Sequence, residues 1–158
     1  MPITIGGKIK KLNQIYSYLK NGADKVSINS YAFKNPKFIN KTAKEFGSQC
    51  IVISIDVKKI KNKYKVFINN GLTNTNMDLV DWVNIVQNEG AGEILVNSID
   101  RDGSKIGHNL KILNQLKNKI KVPFIFCGGV GHWKDFKMAL KKKEIDAVAA
   151  ANIFHHFD

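Results

Sequence analysis

Arginine is almost missing from this chain. Arg101 is the single arginine among 25 basic residues; the others are all lysine, set against 13 acids for a net charge of +12. A surplus of that size raises nucleic acid as a partner. Interfaces with nucleic acid, however, draw on arginine for two-pronged contacts, and no recognition motif or aromatic-rich basic patch is present. Lys, Asn and Ile share A/T-rich codons, so base composition accounts for the bias, and no nucleic-acid partner is expected. Cysteine is also scarce. Cys50 and Cys127 lie in separate strand-like stretches, a spacing that excludes a disulfide framework or a cysteine metal knuckle and suits reduced thiols of a cytoplasmic protein. The four histidines fit no metal spacing either. No run approaches the ~20 apolar residues of a membrane span. Lys8, Lys10 and Lys11 follow the first apolar residues rather than precede them, so neither a secretory leader nor a membrane partner is expected.

What is there is an alternation of apolar runs and amphipathic stretches. With 44% apolar residues in 158, the chain is long enough for one domain with a real core. Strands are expected over residues 2–5, 24–29, 50–56, 93–97, 122–127 and 145–151. Helices are expected over 8–21, 36–46, 78–88, 110–119 and 133–143, and residues 152–158 should trail away. The run Cys50-Ile51-Val52-Ile53-Ser54-Ile55-Asp56 is nearly continuous in apolar residues, as in a strand covered on both faces. Tyr64-Lys65-Val66-Phe67-Ile68, closed by Asn69-Asn70-Gly71, reads as a small hairpin inserted before the next helix. Strands alternating with helices imply a parallel sheet, here of six βα units with the last lacking its helix.

A hidden repeat favours a barrel over an open sheet. Ile5-Gly6-Gly7 and Cys127-Gly128-Gly129 each end a strand, and each is followed by a helix and then an Asp, at 24 and 146, that opens another strand. This is the pattern of duplicated half-barrels.

The candidate chemistry sits where strands end. Gly-Gly after a strand lets backbone N–H groups approach an anion with a helix start behind it. Two such turns suggest two phosphate sites on one mouth, completed by Asn29-Ser30 and by Ala151-Asn152. Asp56 ends the most apolar strand, poised as a general acid or base, with a helix cap or a solvated turn as the alternative. Asp102, in the polar stretch Asn97-Ser98-Ile99-Asp100-Arg101-Asp102-Gly103, has similar standing, against a plain type I turn. Lys25 and Glu93 begin their strands, as surface residues or as ion pairs closing the other end. His132 and Trp133 open a helix as structural residues, and His155-His156 belongs to a loop.

The stretch from Gly90 to Gly103, with Gly22-Ala23-Asp24-Lys25-Val26-Ser27-Ile28-Asn29, Phe46-Gly47-Ser48-Gln49, Ile55-Asp56, Gly128-Gly129 and Ile153-Phe154-His155, resembles the cyclase subunit of imidazole glycerol phosphate synthase. The resemblance runs from Ile3 to Phe157. It implies a (β/α)8 TIM barrel, here partial, with residues 1–158 forming one partial-barrel domain that supplies strands 3 to 8. It implies an ammonia-dependent lyase/cyclase of histidine biosynthesis that needs no cofactor and no metal. Such an enzyme converts a bis-phosphorylated ribonucleotide to imidazole glycerol phosphate and an aminoimidazole carboxamide ribotide. In that family two aspartates across the mouth do acid/base work, and one matches Asp56. The phosphate grips match Gly7, Asn29 and Ser30 on one side, and Asp102, Gly103, Gly128, Gly129, Ala151 and Asn152 on the other. Ammonia from a glutaminase partner passes a charged gate to which Lys25 and Glu93 correspond. The family barrel has two further βα units ahead of Ile3, carrying its other aspartate, so the chain is expected to be a truncated form without turnover of its own. Lys8 stands where the family usually has a third glycine, so the Gly128-Gly129 cradle is expected to grip phosphate better than its twin. Asn97 and Asn152 replace a usual Thr and Ser. Those changes also suit a related ammonia-channelling branch of surface-sugar biosynthesis, and a non-catalytic glutaminase-binding piece is the third reading.

Overall fold

The computed structural model describes residues 1–155; His156 and Phe157 of the expected tail and resemblance lie outside the described residues. The order of elements is β1 (Thr4–Gly6), α1 (Leu12–Lys20), β2 (Lys25–Ile28), α2 (Ser30–Lys34), α3 (Lys37–Phe46), β3 (Ile51–Ile60), β4 (Lys63–Ile68), β5 (Thr73–Asp78), α4 (Leu79–Asn88), β6 (Glu93–Ser98), α5 (Leu113–Leu116), β7 (Phe124–Cys127), α6 (Trp133–Leu140), β8 (Ala147–Ala149) and α7 (Asn152–His155). Six strands pair in parallel in the order β1-β2-β3-β6-β7-β8. Neighbours in sequence are neighbours in the sheet, as successive βα units of a barrel require. β1 and β8 are the two ends of this ladder, so the curled sheet is a partial (β/α)8 barrel.

Side chains of a strand alternate between faces. One face carries Val26, Ile28, Ile51, Ile53, Ile55, Ile94, Val96, Phe124 and Phe126, all buried. They join one core with Ile15 of α1, Phe38 and Ile39 of α3, Leu79, Trp82, Val83 and Val86 of α4, and Leu113 and Leu116 of α5. The other face carries Ser27, Ser54, Asp56, Leu95, Asn97, Ile125 and Cys127, half-buried along the inside of the curl. Apolar residues on both faces of β3 explain its continuous run: Val52, on the inner face, is buried too. No helix among the described residues is long and apolar enough to cross a membrane.

Several expected boundaries shift for local reasons. Helix α1 begins at Leu12 rather than at residue 8, because Lys8 takes the left-handed φ of 52°, which no α-helix accommodates. The helix expected over 110–119 shrinks to a 3₁₀ turn at Leu110–Ile112 and the single turn of α5, stopped before Asn118, itself left-handed. Asp56 does not end its strand. β3 runs on to Ile60, peeling away to pair antiparallel with β4 (Asp56↔Phe67 through Ile60↔Lys63), and its last three residues are exposed. The hairpin grows a third strand, β5, held to β4 by Lys63 and Lys65 of β4, whose ammonium groups lie 2.7 and 2.5 Å from the Asp78 carboxylate. Of the expected tail, residues 152–155 form one helical turn, α7, instead of trailing away, which places His155 in a helix rather than in the expected loop.

The internal repeat is visible in hydrogen bonds. Asp24 accepts the Ile3 N–H at 2.6 Å, and Asp146 accepts the Phe124 N–H at 2.8 Å. In return Asp24 N–H donates to Ile3 O and Asp146 N–H to Phe124 O, at 2.8 and 3.0 Å. The glycines, however, are one residue out of step. Gly6 lies opposite Ser27 inside the ladder, whereas the residue in that place in the second unit is Cys127, opposite Ala149. Gly7 therefore corresponds to Gly128 (φ 119° and 99°), and Lys8 to Gly129 (φ 52° and 91°).

Candidate active site at the C-terminal mouth of the sheet

In a parallel α/β barrel the strand ends where chemistry collects are the C-terminal ones. Asp56 is there. Its Oδ2 accepts a hydrogen bond from Asn29 Nδ2 at 2.9 Å and its Oδ1 one from Asn97 Nδ2 at 3.3 Å. Asn29 follows β2 and Asn97 belongs to β6, so the strands on either side of β3 hold the carboxylate from both flanks. Asp56 caps no helix; its setting is that of a fixed inner-face acid.

At the opposite end of the same face, Lys25 of β2 and Glu93 of β6 form an ion pair. It reaches over β3, where Val52 lies opposite Glu93 in the ladder. The expected closing pair thus forms between strands that do not touch each other.

The grip residues on the first side come together. A pocket of about 580 Å³ is lined by Gly6, Gly7, Lys8, Ile9, Lys10, Ser27, Asn29, Ser30, Tyr31, Lys34, Ser54, Asn69 and Asn70. Its outer wall is the tip between β4 and β5, where Asn69 N–H donates to Ser30 Oγ at 2.9 Å. Lys10, Lys34 and the Asn69-Asn70 tip were not singled out in the sequence. The only signal for the tip was the left-handed turn chemistry of Asn-Asn-Gly.

The second side is only partly assembled as expected. Asp102, Gly103, Ala151 and Asn152, with His155, line a pocket of about 370 Å³, and Asn152 Nδ2 donates to Gly103 O at 3.4 Å. Gly128 and Gly129 are buried instead beneath residues 101–107. Gly107 N–H donates to Gly129 O at 2.7 Å. A Cβ on Gly129 would stand 2.4 Å from Gly107 O, and one on Gly128 would stand 2.7 Å from Ser98 O. In this structure those glycines admit a close backbone crossing.

His108 is a member of this end that the sequence did not announce. Its Nδ1 lies 2.9 Å from Gly128 O, and a carbonyl only accepts, so Nδ1 carries the proton. Burial holds the ring below the ordinary histidine range, against the opposing pull of that carbonyl and of Asp135. The ring centroid is 5.1 Å from that of Phe126. Cys127, on the inner face, is a protonated thiol: burial pushes it up, helped by Asp102 and, less, by Asp56, against a lowering backbone hydrogen bond at Gly128. His132 is structural as expected, its Nδ1 accepting the Lys134 N–H at 3.1 Å to cap α6. Among the described residues no group of three or more His, Cys, Asp or Glu gathers as a metal site.

These features define a class: a parallel βα-barrel unit with an inner-face carboxylate at its mouth, an anion-friendly pocket beside it and an ion pair at the far end. The chain belongs to the histidine biosynthesis protein family, whose model matches residues 1–158. It is 46% identical over 157 residues to the imidazole glycerol phosphate synthase subunit HisF of Clostridium botulinum (strain 657 / Type Ba4). It is 48% identical over 155 residues to that of Hydrogenobaculum sp. (strain Y04AAS1), and 43% identical over 157 residues to that of Bacillus cereus (strain G9842). These alignments take in 98–99% of this chain and 62% of each relative, so the chain spans about 62% of the length of the curated relatives it matches.

Proposed function

We propose that this chain carries the cyclase chemistry of imidazole glycerol phosphate synthase in histidine biosynthesis. In this reading a bis-phosphorylated ribonucleotide lies across the mouth, and ammonia delivered by a cytoplasmic glutaminase partner completes the imidazole ring while a C–N bond breaks. The observation that carries the reading is the placement of Asp56 between two amide donors at the mouth, in a chain matched along its whole length by the family.

Asp56 serves as one of the two acid/base groups, and Asn29 and Asn97 orient it. With both carboxylate oxygens already accepting a bond, each keeps a further lone pair for a substrate proton. The Gly7, Asn29 and Ser30 side takes one phosphate. Asp102, Gly103, Ala151 and Asn152 take the other, with Gly128 and Gly129 supporting the loop above. Lys25 and Glu93 guard the ammonia entrance at the far end, where the glutaminase docks. The resemblance puts the second aspartate in the further βα units of the relatives, so turnover is assayed with a complementary piece supplying those units and ammonium salt as nitrogen source.

The test pairs that assay with calorimetric binding of the bis-phosphorylated ribonucleotide. Losing one acid/base carboxylate lowers rates by about 10²–10⁴. Asp56→Asn should therefore abolish most turnover while binding stays within a few-fold of the parent, since the grips supply the affinity. Near-parental turnover of Asp56→Asn would make Asp56 a structural residue and end this reading.

A further inference from the structure

The loop of residues 101–107 is pinned at both ends and laid across a neighbouring turn in between. At its near end Ile99 N–H donates to Val57 O of β3 at 3.0 Å, and the Asp100 carboxylate accepts the Ser98 hydroxyl at 2.7 Å. Just past its far end the buried Asn109 accepts the Tyr64 hydroxyl of β4 at 3.2 Å. Between these anchors it crosses the turn after β7, where a Cβ on Gly129 would collide with Gly107 O and one on Gly131 with Lys105 O. Two adjacent residues bond it to that turn: Gly107 N–H donates to Gly129 O at 2.7 Å, and His108 Nδ1 lies 2.9 Å from Gly128 O. Lys105, in the crossing, is left-handed at φ 57°, an angle that strains a residue with a side chain.

His108 suits this crossing in one protonation state. Gly128 O can only accept, so Nδ1 carries the proton and Nε2 of the neutral ring is bare. Nε2 is buried and meets no hydrogen-bond partner among the described residues, and the ring lies against Phe126, with centroids 5.1 Å apart. A second proton would land on Nε2, placing a charge and a new N–H where no acceptor stands. A buried unpaired charge costs more than an unmatched lone pair. Burial already holds the ring below its ordinary 6.5, against the raising pulls of Gly128 O and Asp135. Asp135, on α6, is engaged at Oδ2 by the Gly131 and His132 N–H groups at 3.0 and 2.9 Å. The other titratable neighbours are Arg101, Asp102 and Lys105 on the loop itself, Cys127 on β7 and Tyr64 on β4.

We propose that His108 is a proton-operated latch: its neutral ring holds the 101–107 loop shut over the Gly128-Gly129 turn, and a second proton on the ring frees the loop while the strands stay folded. The open form gives Nε2 to water, relieves the angle at Lys105 and uncovers the backbone of Gly128 and Gly129. The latch does not depend on what the mouth binds. Linkage sets its size and sign. Closure is complete above the ordinary histidine value of 6.5 and weakens as pH falls from there to the lower value of the closed ring, by up to about tenfold per pH unit.

The test is NMR on the whole chain across this pH range. Ring ¹⁵N shifts of His108 report which nitrogen holds the proton and when the second arrives. Amide exchange, divided by the intrinsic rate at each pH, reports opening at Gly107, and the amides of β3 serve as reference. A little urea, kept below the unfolding transition, separates local from global opening, because only global opening exposes enough surface to respond. The expected result is a proton on Nδ1 above pH 6.5. Protection at Gly107 should then fall as pH drops below that value, with no response to urea, while β3 stays protected. His108→Phe keeps a ring against Phe126 and cannot take a proton, so its Gly107 protection should not vary with pH. A proton on Nε2 above pH 6.5 would overturn the proposal, as would flat protection in the parent or an unchanged pH dependence in His108→Phe. Loss of protection at Gly107 and β3 together, with the same urea response, would mean unfolding and no latch. If His108→Phe does not fold, the parent's ring shifts and exchange decide the question alone.

Discussion

Gly129→Ala separates a glycine required by packing from one required only by its backbone angle. The residue has φ 91°, a new Cβ would stand 2.4 Å from Gly107 O and 3.1 Å from the Arg101 Cβ, and the Gly107 N–H bonds back to Gly129 O at 2.7 Å. Ordinary van der Waals contact lies roughly 1 Å farther out, so the loop over residues 101–107 must move. A left-handed angle on a side-chain-bearing residue costs about 2 kcal/mol, overpacking about 2 more, and a lost backbone hydrogen bond about 1, for a total of about 5 kcal/mol. Gly7→Ala is the matched control. Gly7 has φ 119° with nothing within 4 Å of the Cβ position, so only the angular strain of about 2 kcal/mol applies. Urea unfolding of the two variants measures the difference, and hydrogen exchange locates it: the Gly107 amide should exchange faster in Gly129→Ala and not in Gly7→Ala. Equal destabilisation would refute the reasoning, because it would mean that the 101–107 loop gives way freely and that the close crossing at Gly129 holds nothing.

Two further outcomes follow from buried titratable groups. His108 sits below its ordinary value of 6.5 through burial, so the unfolded chain binds more protons just below pH 6.5. Stability should be complete above that pH and fall as pH drops through the window, and His108→Gln should flatten this part of a urea-midpoint-versus-pH profile. Cys127, kept protonated by burial and by the carboxylates of Asp102 and Asp56, should react with iodoacetamide at neutral pH more slowly than free cysteine, as peptide mapping after timed quenching would show. Thiolate-like speed at Cys127 would mean that the inner face is wetter than its burial indicates.

The sequence by itself determined the six parallel strands, because buried strands need apolar runs and parallel crossovers need a helix between them. It also determined the paired role of Asp24 and Asp146, which face the same backbone groups in each unit. The Lys25–Glu93 pair was legible as an alternative, since both residues begin strands, but only the tertiary structure chose the ion pair, by setting β2 and β6 on either side of β3. β5 was invisible. Thr73-Asn74-Thr75-Asn76 has no apolar alternation, and the strand forms because β4 and the Asp78 ion pairs hold it. The one-residue slip between the two Gly-Gly turns was hidden for a similar reason: sequence spacing counts residues, whereas ladder register decides which of them leaves the strand. That register makes Lys8 the counterpart of Gly129. In the sequence Lys8 stood out only as a lysine in a glycine's place, and Lys10 and Lys34 gave no signal of a shared site. They line one pocket only because the loop after β1, which carries Lys8 and Lys10, and α2, which ends at Lys34, meet the β4–β5 tip at the same corner of the mouth.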